Sequence, residues 1–463
     1  MGQSFLLFTS KQERKMLPEN FLKRMETLLG EEYPNYLESI EEPRHHALRI
    51  NTLRGSVAGI RTLFPELVNP VLWEETGMYY GAELPMGKHP LHEAGAYYIQ
   101  EPSAMAPGHY LEAKPGERVL DLCAAPGGKT TQIAAAMKGM GLLISNEIHP
   151  ARAKILSENV ERMGIRNCLV TNETPAKLAK NFPEFFHRIM VDAPCSGEGM
   201  FRKNETATEN WSEENVALCA ARQKEILSCA QEMLLPGGRL VYSTCTFAPE
   251  ENEQVIEWFL KEYPEFEEED VQLCEGMVKG YGNHQGAIRL FPHKLSGEGH
   301  FVCVLRKRGK IPEEIGIKSM KSLSEKEIAD YRAWEKKSLA VKMEGTFLRF
   351  GDELYVAPKD CPELKGLKVL RPGLHLATLK KGRIEPAHAL SHALTKEELL
   401  PETGCFFEMD DLRVKAYLHG ETFPVEGEGG FRLVFVENYG LGWGKNAGGT
   451  LKNHYPKGLR TQF

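Results

Sequence analysis

Between Val119 and Arg306 the chain repeats one pattern, and that pattern leaves few folds open. Short apolar runs at residues 119–122, 142–146, 168–171, 188–192 and 238–243 are separated by helical stretches, notably 150–163 and 213–235. Runs that are apolar throughout, rather than alternating, belong to strands buried on both faces. Joined by helices, they predict an α/β fold, a doubly wound Rossmann-like sheet of parallel strands. Residues 287–291 and 299–307 read as a closing pair of strands. Ligands bind such sheets beyond the carboxyl ends of the strands, so the residues just after each run are the candidates for chemistry.

The flanks divide the remaining length of this 463-residue chain. Residues 1–90 read as an α/β extension, with helices at 18–29 and 56–63 around a strand at 48–53. The central domain then spans 91–308, and a polar linker 309–326 leads to a small α/β module at 327–390. That module carries a hairpin signal, two apolar runs around Gly351-Asp352-Glu353. A last module, 391–463, holds a strand at 431–436. No apolar run is long enough to span a membrane, and residues 1–9 lack the basic start of a secretory signal, so a cytoplasmic protein is expected. Ten cysteines occur without a C-x-x-C pair, and His45, His46, His388 and His392 lack partners at ligand spacing, so no metal site is expected. Net charge is −7, yet residues 440–463 carry Lys445, Lys452, Lys457 and Arg460 with no acid. With Trp443 nearby, those cations suit phosphates and unpaired bases, although a solvated tail with one packed Trp fits equally well.

The strongest local signal follows the first run: Asp121-Leu122-Cys123-Ala124-Ala125-Pro126-Gly127-Gly128-Lys129-Thr130. Small residues let the backbone approach a ligand, and a helix start offers free N–H groups. A phosphate-binding P-loop requires glycine where Cys123 stands, and G-x-G-x-x-G is absent. A nucleoside with an amino-acid tail, S-adenosylmethionine, remains as the matching ligand. Glu147 closes the second run about twenty residues after the glycines, where a carboxylate can take both ribose hydroxyls.

Two cysteines sit at the ends of the fourth and fifth runs, in Asp192-Ala193-Pro194-Cys195-Ser196-Gly197 and Ser243-Thr244-Cys245-Thr246. Regular winding puts both in one crevice with Asp192. Carbon 5 of cytosine is a poor nucleophile until a thiolate adds at carbon 6, after which it can attack a methyl sulfonium. Asp192 is placed to hold the ring through N3, and a second thiol to help release the product. Lys129 or a helix N-terminus is a source of the positive potential that a reactive thiol needs.

These residues resemble the Nol/Nop/Sun-type RNA (cytosine-5) methyltransferases, and within them the bacterial RsmF-type ribosomal RNA enzymes. The resemblance runs over nearly the whole chain. It is carried by Glu101-Pro102-Ser103-Ala104-Met105, the 124–129 turn, the two cysteine motifs, Phe201-Arg202-Lys203 and Ala221-Arg222-Gln223. It implies a class I methyltransferase domain, an N-terminal RNA-binding extension and a PUA-like RNA-binding end. It implies Cys245 as nucleophile, Cys195 as the residue promoting release, and S-adenosylmethionine held by Cys123 through Lys129, Glu147 and Asp192. A residue after the third strand faces the adenine in this family; Glu173 is assigned, with Thr174 as the alternative. Arg202, Lys203, Trp443, Lys445, Lys452, Lys457 and Arg460 are the expected RNA contacts. The implied partner is small-subunit ribosomal RNA or the 30S subunit, met by a monomer. Two other readings compete. A DNA cytosine-5 methyltransferase would use Cys195 and leave Cys245 idle; a non-catalytic assembly factor would need neither.

Overall fold

The apolar runs pair into one sheet because each is buried on both sides. In the computed structural model, which describes residues 17–203, 208–282, 284, 286–313, 316, 318–359 and 361–460, five parallel strands form the centre. They are Arg118–Asp121, Leu142–Asn146, Cys168–Thr171, Phe186–Asp192 and Leu234–Thr244, called first to fifth below. Leu120, Ile144, Leu169, Ile189 and Leu240 face one hydrophobic layer, while Val119, Leu143, Val170, Met190 and Val241 face the other. The spatial order is fifth, fourth, first, second, third, so winding reverses between the first and fourth strands. That reversal opens a crevice at their carboxyl ends. His300–Lys307 and Ala287–Leu290 close the sheet antiparallel beyond the fifth strand, as the sequence predicts.

Two expected domain edges move. The strand Tyr97–Ile99 pairs with His46–Ile50 in the N-terminal four-stranded sheet, so that unit extends past residue 90. A boundary between 390 and 391 would cut the helix His388–Ala393, whose contacts reach both flanking modules. The middle module also gives the strand Val369–Arg371 to the central sheet, antiparallel to the third strand. Its own four-stranded sheet contains the expected hairpin, Thr346–Phe350 with Glu353–Ala357. The last module is a five-stranded sheet around Gly430–Val436 and Tyr439–Ala447. The second half of the expected linker is tied down, with Met320 N–H donating to Cys361 O at 2.8 Å and Leu323 N–H to Phe347 O at 2.9 Å. Residues 1–9 and 461–463 lie outside the described residues.

The N-terminal unit reaches into the centre. Buried Arg49 donates to the carbonyl of Gly128 at 2.8 Å and to Gln100 at 3.1 Å, bracing the glycine turn. Arg24, on the helix Glu19–Leu29, pairs with buried Glu198 on the segment after Cys195. Among the described residues no helix is long and apolar enough to cross a membrane.

Candidate active site

The first strand ends and the chain turns through Cys123 and Ala125 into the helix Gly128–Ala136. Gly127 adopts φ +117, and an added Cβ there would meet Leu156 Cδ1 at 3.2 Å, so this turn needs glycine. The turn's carbonyls are held from outside. Ala125 O accepts from Arg152 at 2.7 Å, and Pro126 O from Asn159 at 2.9 Å. Ala124 N–H is bonded to Asn146 O at 2.8 Å. The helix-start N–H groups have no intrahelical acceptor.

A cavity of about 680 Å³ opens above these strand ends, within the size range of small-ligand sites. Cys123, Glu147, Thr174, Asp192, Cys195 and Cys245 all line it. Glu147 is 3% exposed; its Oε1 accepts from His149 N–H at 2.9 Å and its Oε2 lies 3.4 Å from Arg152. Asp121, fully buried under the turn, accepts from Thr130 Oγ1 at 2.6 Å, while its Oδ1 has no partner. Burial, with Asp192 and Glu147 nearby, pushes its pKa up to about 7. Burial likewise pushes the Cys123 thiol up, so Cys123 is a neutral wall rather than a nucleophile.

The two sulfurs come together. Cys195 Sγ and Cys245 Sγ are 3.3 Å apart, and Cys245 N–H donates to Cys195 Sγ at 3.4 Å. The hydrogen bond to Cys245, together with burial, raises the Cys195 thiol well above its usual range. Cys195 therefore stays protonated and can donate to its neighbour. Asp192 takes Lys129 Nζ at 2.7 Å on one oxygen and Ser243 Oγ at 2.8 Å on the other. Burial works to raise this carboxyl, but the Lys129 ammonium and His300 outweigh it and hold it well below the carboxylate range. Asp192 is thus an anion that accepts hydrogen bonds and has no proton to give. Lys129 is engaged there, which removes it as the expected source of potential at the thiols.

Residues that sequence reasoning missed hold the cysteine loop. Buried Glu251 accepts from Ser196 N–H at 3.0 Å, from Ser196 Oγ, and from Gln223 at 2.9 Å. Gln223 also donates to Pro194 O at 3.0 Å. Glu198 accepts from Phe247 N–H at 3.1 Å and Trp211 Nε1 at 2.8 Å. Gln223 carried a signal in Ala221-Arg222-Gln223; Glu251 carried none.

Three expected contacts are corrected. Glu173 turns away from the cavity: its carboxylate accepts from Lys368 N–H at 2.6 Å and Lys177 Nζ at 2.7 Å, and Thr174 lines the wall instead. Arg202 is 6% exposed, in a two-bond grip on Glu298 at 3.0 and 3.2 Å, with Ser39 O and Gly297 O as further acceptors. It is a clamp between domains and not an RNA contact. Trp443 is 2% exposed, its Nε1 donating to Ala387 O at 2.9 Å, so packing holds the ring that was expected to stack on a base. Lys203, Lys445, Lys452, Lys457 and Arg460 are exposed. Lys445 and Lys452 sit directly opposite on adjacent strands, and Lys445 also faces Phe431 with its ammonium 5.7 Å from the ring. Like charges opposite each other are unfavourable without an anion between them. Among the described residues no group of three metal-ligating side chains converges.

Residues 108–306 match the family described as 16S rRNA methyltransferase RsmB/F. Residues 17–102, 333–394 and 406–461 match the N-terminal, first C-terminal and PUA domains described for the RsmF methyltransferase. Ribosomal RNA small subunit methyltransferase F of Vibrio vulnificus is 32% identical, covering 96% of this chain and 97% of its own. The chain belongs to the RsmF family of 16S ribosomal RNA methyltransferases. The protein of that name from Klebsiella pneumoniae is 33% identical over 96% of each chain. Among solved structures, a methyltransferase homolog from Pyrococcus horikoshii is 30% identical, covering 64% of this chain and 96% of its own, with a TM-score of 0.56. NSun6 from the same organism, 22% identical with a TM-score of 0.56, covers 64% of this chain and shares the fold. Family membership makes this chain a ribosomal RNA methyltransferase.

Proposed function

We propose that this RsmF-family enzyme methylates carbon 5 of a cytosine in small-subunit ribosomal RNA through a covalent bond from Cys245 to carbon 6. The observation that carries it is the 3.3 Å approach of Cys195 and Cys245 at the mouth of the cleft beside ionised Asp192. A DNA-type enzyme with Cys195 as its only thiol would leave Cys245 without a task.

The residues fit S-adenosylmethionine: a glycine turn that a Cβ would crowd, a buried acid at the second strand end, and the orphaned Asp121 Oδ1 beneath. Cys123 through Lys129, Glu147, Thr174 and Asp192 would hold it, with Glu147 accepting from the ribose hydroxyls. The cofactor supplies an electrophilic methyl group. Asp192, being an anion, accepts from the cytosine amino group and fixes the ring. Cys245, its thiol proton released to solvent, adds as thiolate at carbon 6, and the displaced electron pair makes carbon 5 the nucleophile that takes the methyl. The carbon-5 proton must then leave, its electrons restoring the ring double bond and expelling Cys245. Cys195 holds a proton next to that sulfur, so it can protonate Cys245 as it departs and receive the carbon-5 proton in exchange. Exposed Lys445 and Lys452 supply phosphate contacts on the last module.

The test is a pair of variants assayed on in vitro transcribed 16S rRNA. Cys245→Ala should lose methyl transfer to background; full activity there overturns the assignment. Cys195→Ala should leave a denaturant-resistant enzyme–RNA band on a gel. Bisulfite sequencing of the product then reads the cytosine.

A further inference from the structure

Away from the cleft, the N-terminal sheet and the loop before His300 enclose a second cavity of about 760 Å³. Part of its wall is aromatic, and exposed Glu275 is the one acid among its lining residues. His46 and Tyr80 are directly opposite partners on the antiparallel strands His46–Ile50 and Glu74–Tyr80, with ring centroids 5.6 Å apart. His45 meets Tyr79 edge-on at 6.2 Å. Both tyrosines are half-buried, leaving part of each open to the cavity. At the rim, Arg44 is exposed and has no ion pair among the described residues. Lys294, the other lining cation with a fixed charge, is held by Glu32 at 2.6 Å. Burial, with Arg202 nearby, lowers the His45 pKa, so at neutral pH this wall presents rings more than charge.

The opposite wall connects to the chemistry. Tyr79 Oη donates to Ser296 O at 2.7 Å. The next two residues, Gly297 and Glu298, are gripped by Arg202, on the stretch that follows Cys195. One short loop therefore backs the cavity and braces the active-site segment.

We propose that this cavity is a subsite for an unpaired nucleotide of the RNA substrate, with its base against Tyr80 and His46 and its phosphate at Arg44. The proposal rests on the RNA-methylating reading above. An enzyme that draws one base out of its stack leaves the neighbouring bases without partners. Aromatic faces accept any base, and a single unpaired guanidinium suits one phosphate. A protein segment fits these walls less well, because the large exposed apolar side chain among the lining residues is Leu72 alone.

The test uses the full chain and in vitro transcribed 16S rRNA carrying 4-thiouridine. Ultraviolet irradiation should crosslink RNA to a peptide containing Tyr79 and Tyr80, read by mass spectrometry. Arg44→Glu and Tyr80→Ala should each lower kcat/KM for RNA about tenfold, the scale of one lost base or phosphate contact. Arg44→Glu should also reduce the slope of log affinity against log salt by about 0.7, the value for one phosphate on a single strand. Binding of S-adenosylhomocysteine should stay at the wild-type level in both, which reports folding; Arg44 is exposed and carries the test if Tyr80→Ala misfolds. Unchanged kcat/KM and salt slope in Arg44→Glu overturn the subsite. A loss confined to assembled subunits and absent on naked RNA also overturns it, in favour of a ribosomal protein contact. Failure of the wild-type enzyme to methylate any RNA would instead strike the proposed function.

Discussion

The catalytic cleft and the last module use charge in opposite ways. Around the cleft these charged groups are held by protein partners: Lys129 by Asp192, Glu251 by Ser196 and Gln223, Glu147 by His149 N–H and Arg152. On the last module Lys445 and Lys452 stand exposed and opposed, with no carboxylate between them. The first arrangement fixes protonation states and positions before a substrate arrives. The second stays solvated, and on the proposed RNA contact it would gain by exchanging counterions for phosphates. On that reading catalytic order and substrate attraction are built by different physics in one chain.

The difference is largest where a cleft charge loses its partner. Lys129→Met takes the cation from half-buried Asp192, whose side chain is 32% exposed, and should lower both melting temperature and methyl transfer. In the wild type the depressed Asp192 carboxyl contributes stability that is present above its unfolded pKa and is lost only as pH falls through the lower folded value. In Lys129→Met that contribution vanishes and burial raises the carboxyl. Thermal melts should then show the variant becoming relatively more stable as pH falls from 7 toward 5; a parallel pH profile would break the contrast. Trp443→Ala comes next. Emptying a packed indole site costs about 3–5 kcal/mol, visible in denaturant melts, while the salt slope of RNA binding stays at its wild-type value. A changed slope would return the Trp to the RNA face. Smallest is Lys445→Ala with Lys452→Ala. Stability should move by no more than about 0.5 kcal/mol, while the salt slope falls by about 1.4 on single-stranded RNA.

The cleft was legible because each of its motifs follows directly on an apolar run. Where a parallel strand stops is readable locally, and the fold supplies the crevice above it. Cys195, Cys245, Asp192 and Glu147 all follow from that rule. Glu173 failed by one residue: the backbone after the third strand turns it toward Lys368, 195 positions away, and gives the wall to Thr174. Arg202 and Trp443 failed for a related reason. Their partners, Glu298 and Ala387, are 96 and 56 positions distant, and no local pattern says whether a cation or an indole is packed or exposed. Glu251 escaped notice because it touches the cysteine loop and not the cavity, and Gln223 was marked only as part of a motif, without this role.

The strand Val369–Arg371 has a mechanical consequence. By bridging to Val170 and Thr171 it seals the open edge of the central sheet with a piece of the middle module. That stitch makes the module an arm fixed to the sheet rather than a pendant on a tether. The helix His388–Ala393 continues the arm into the last module, with contacts to both. Cations at its far end then stand at a set span from the paired sulfurs, and on the proposed function picking one pyrimidine along a folded RNA becomes a matter of measuring.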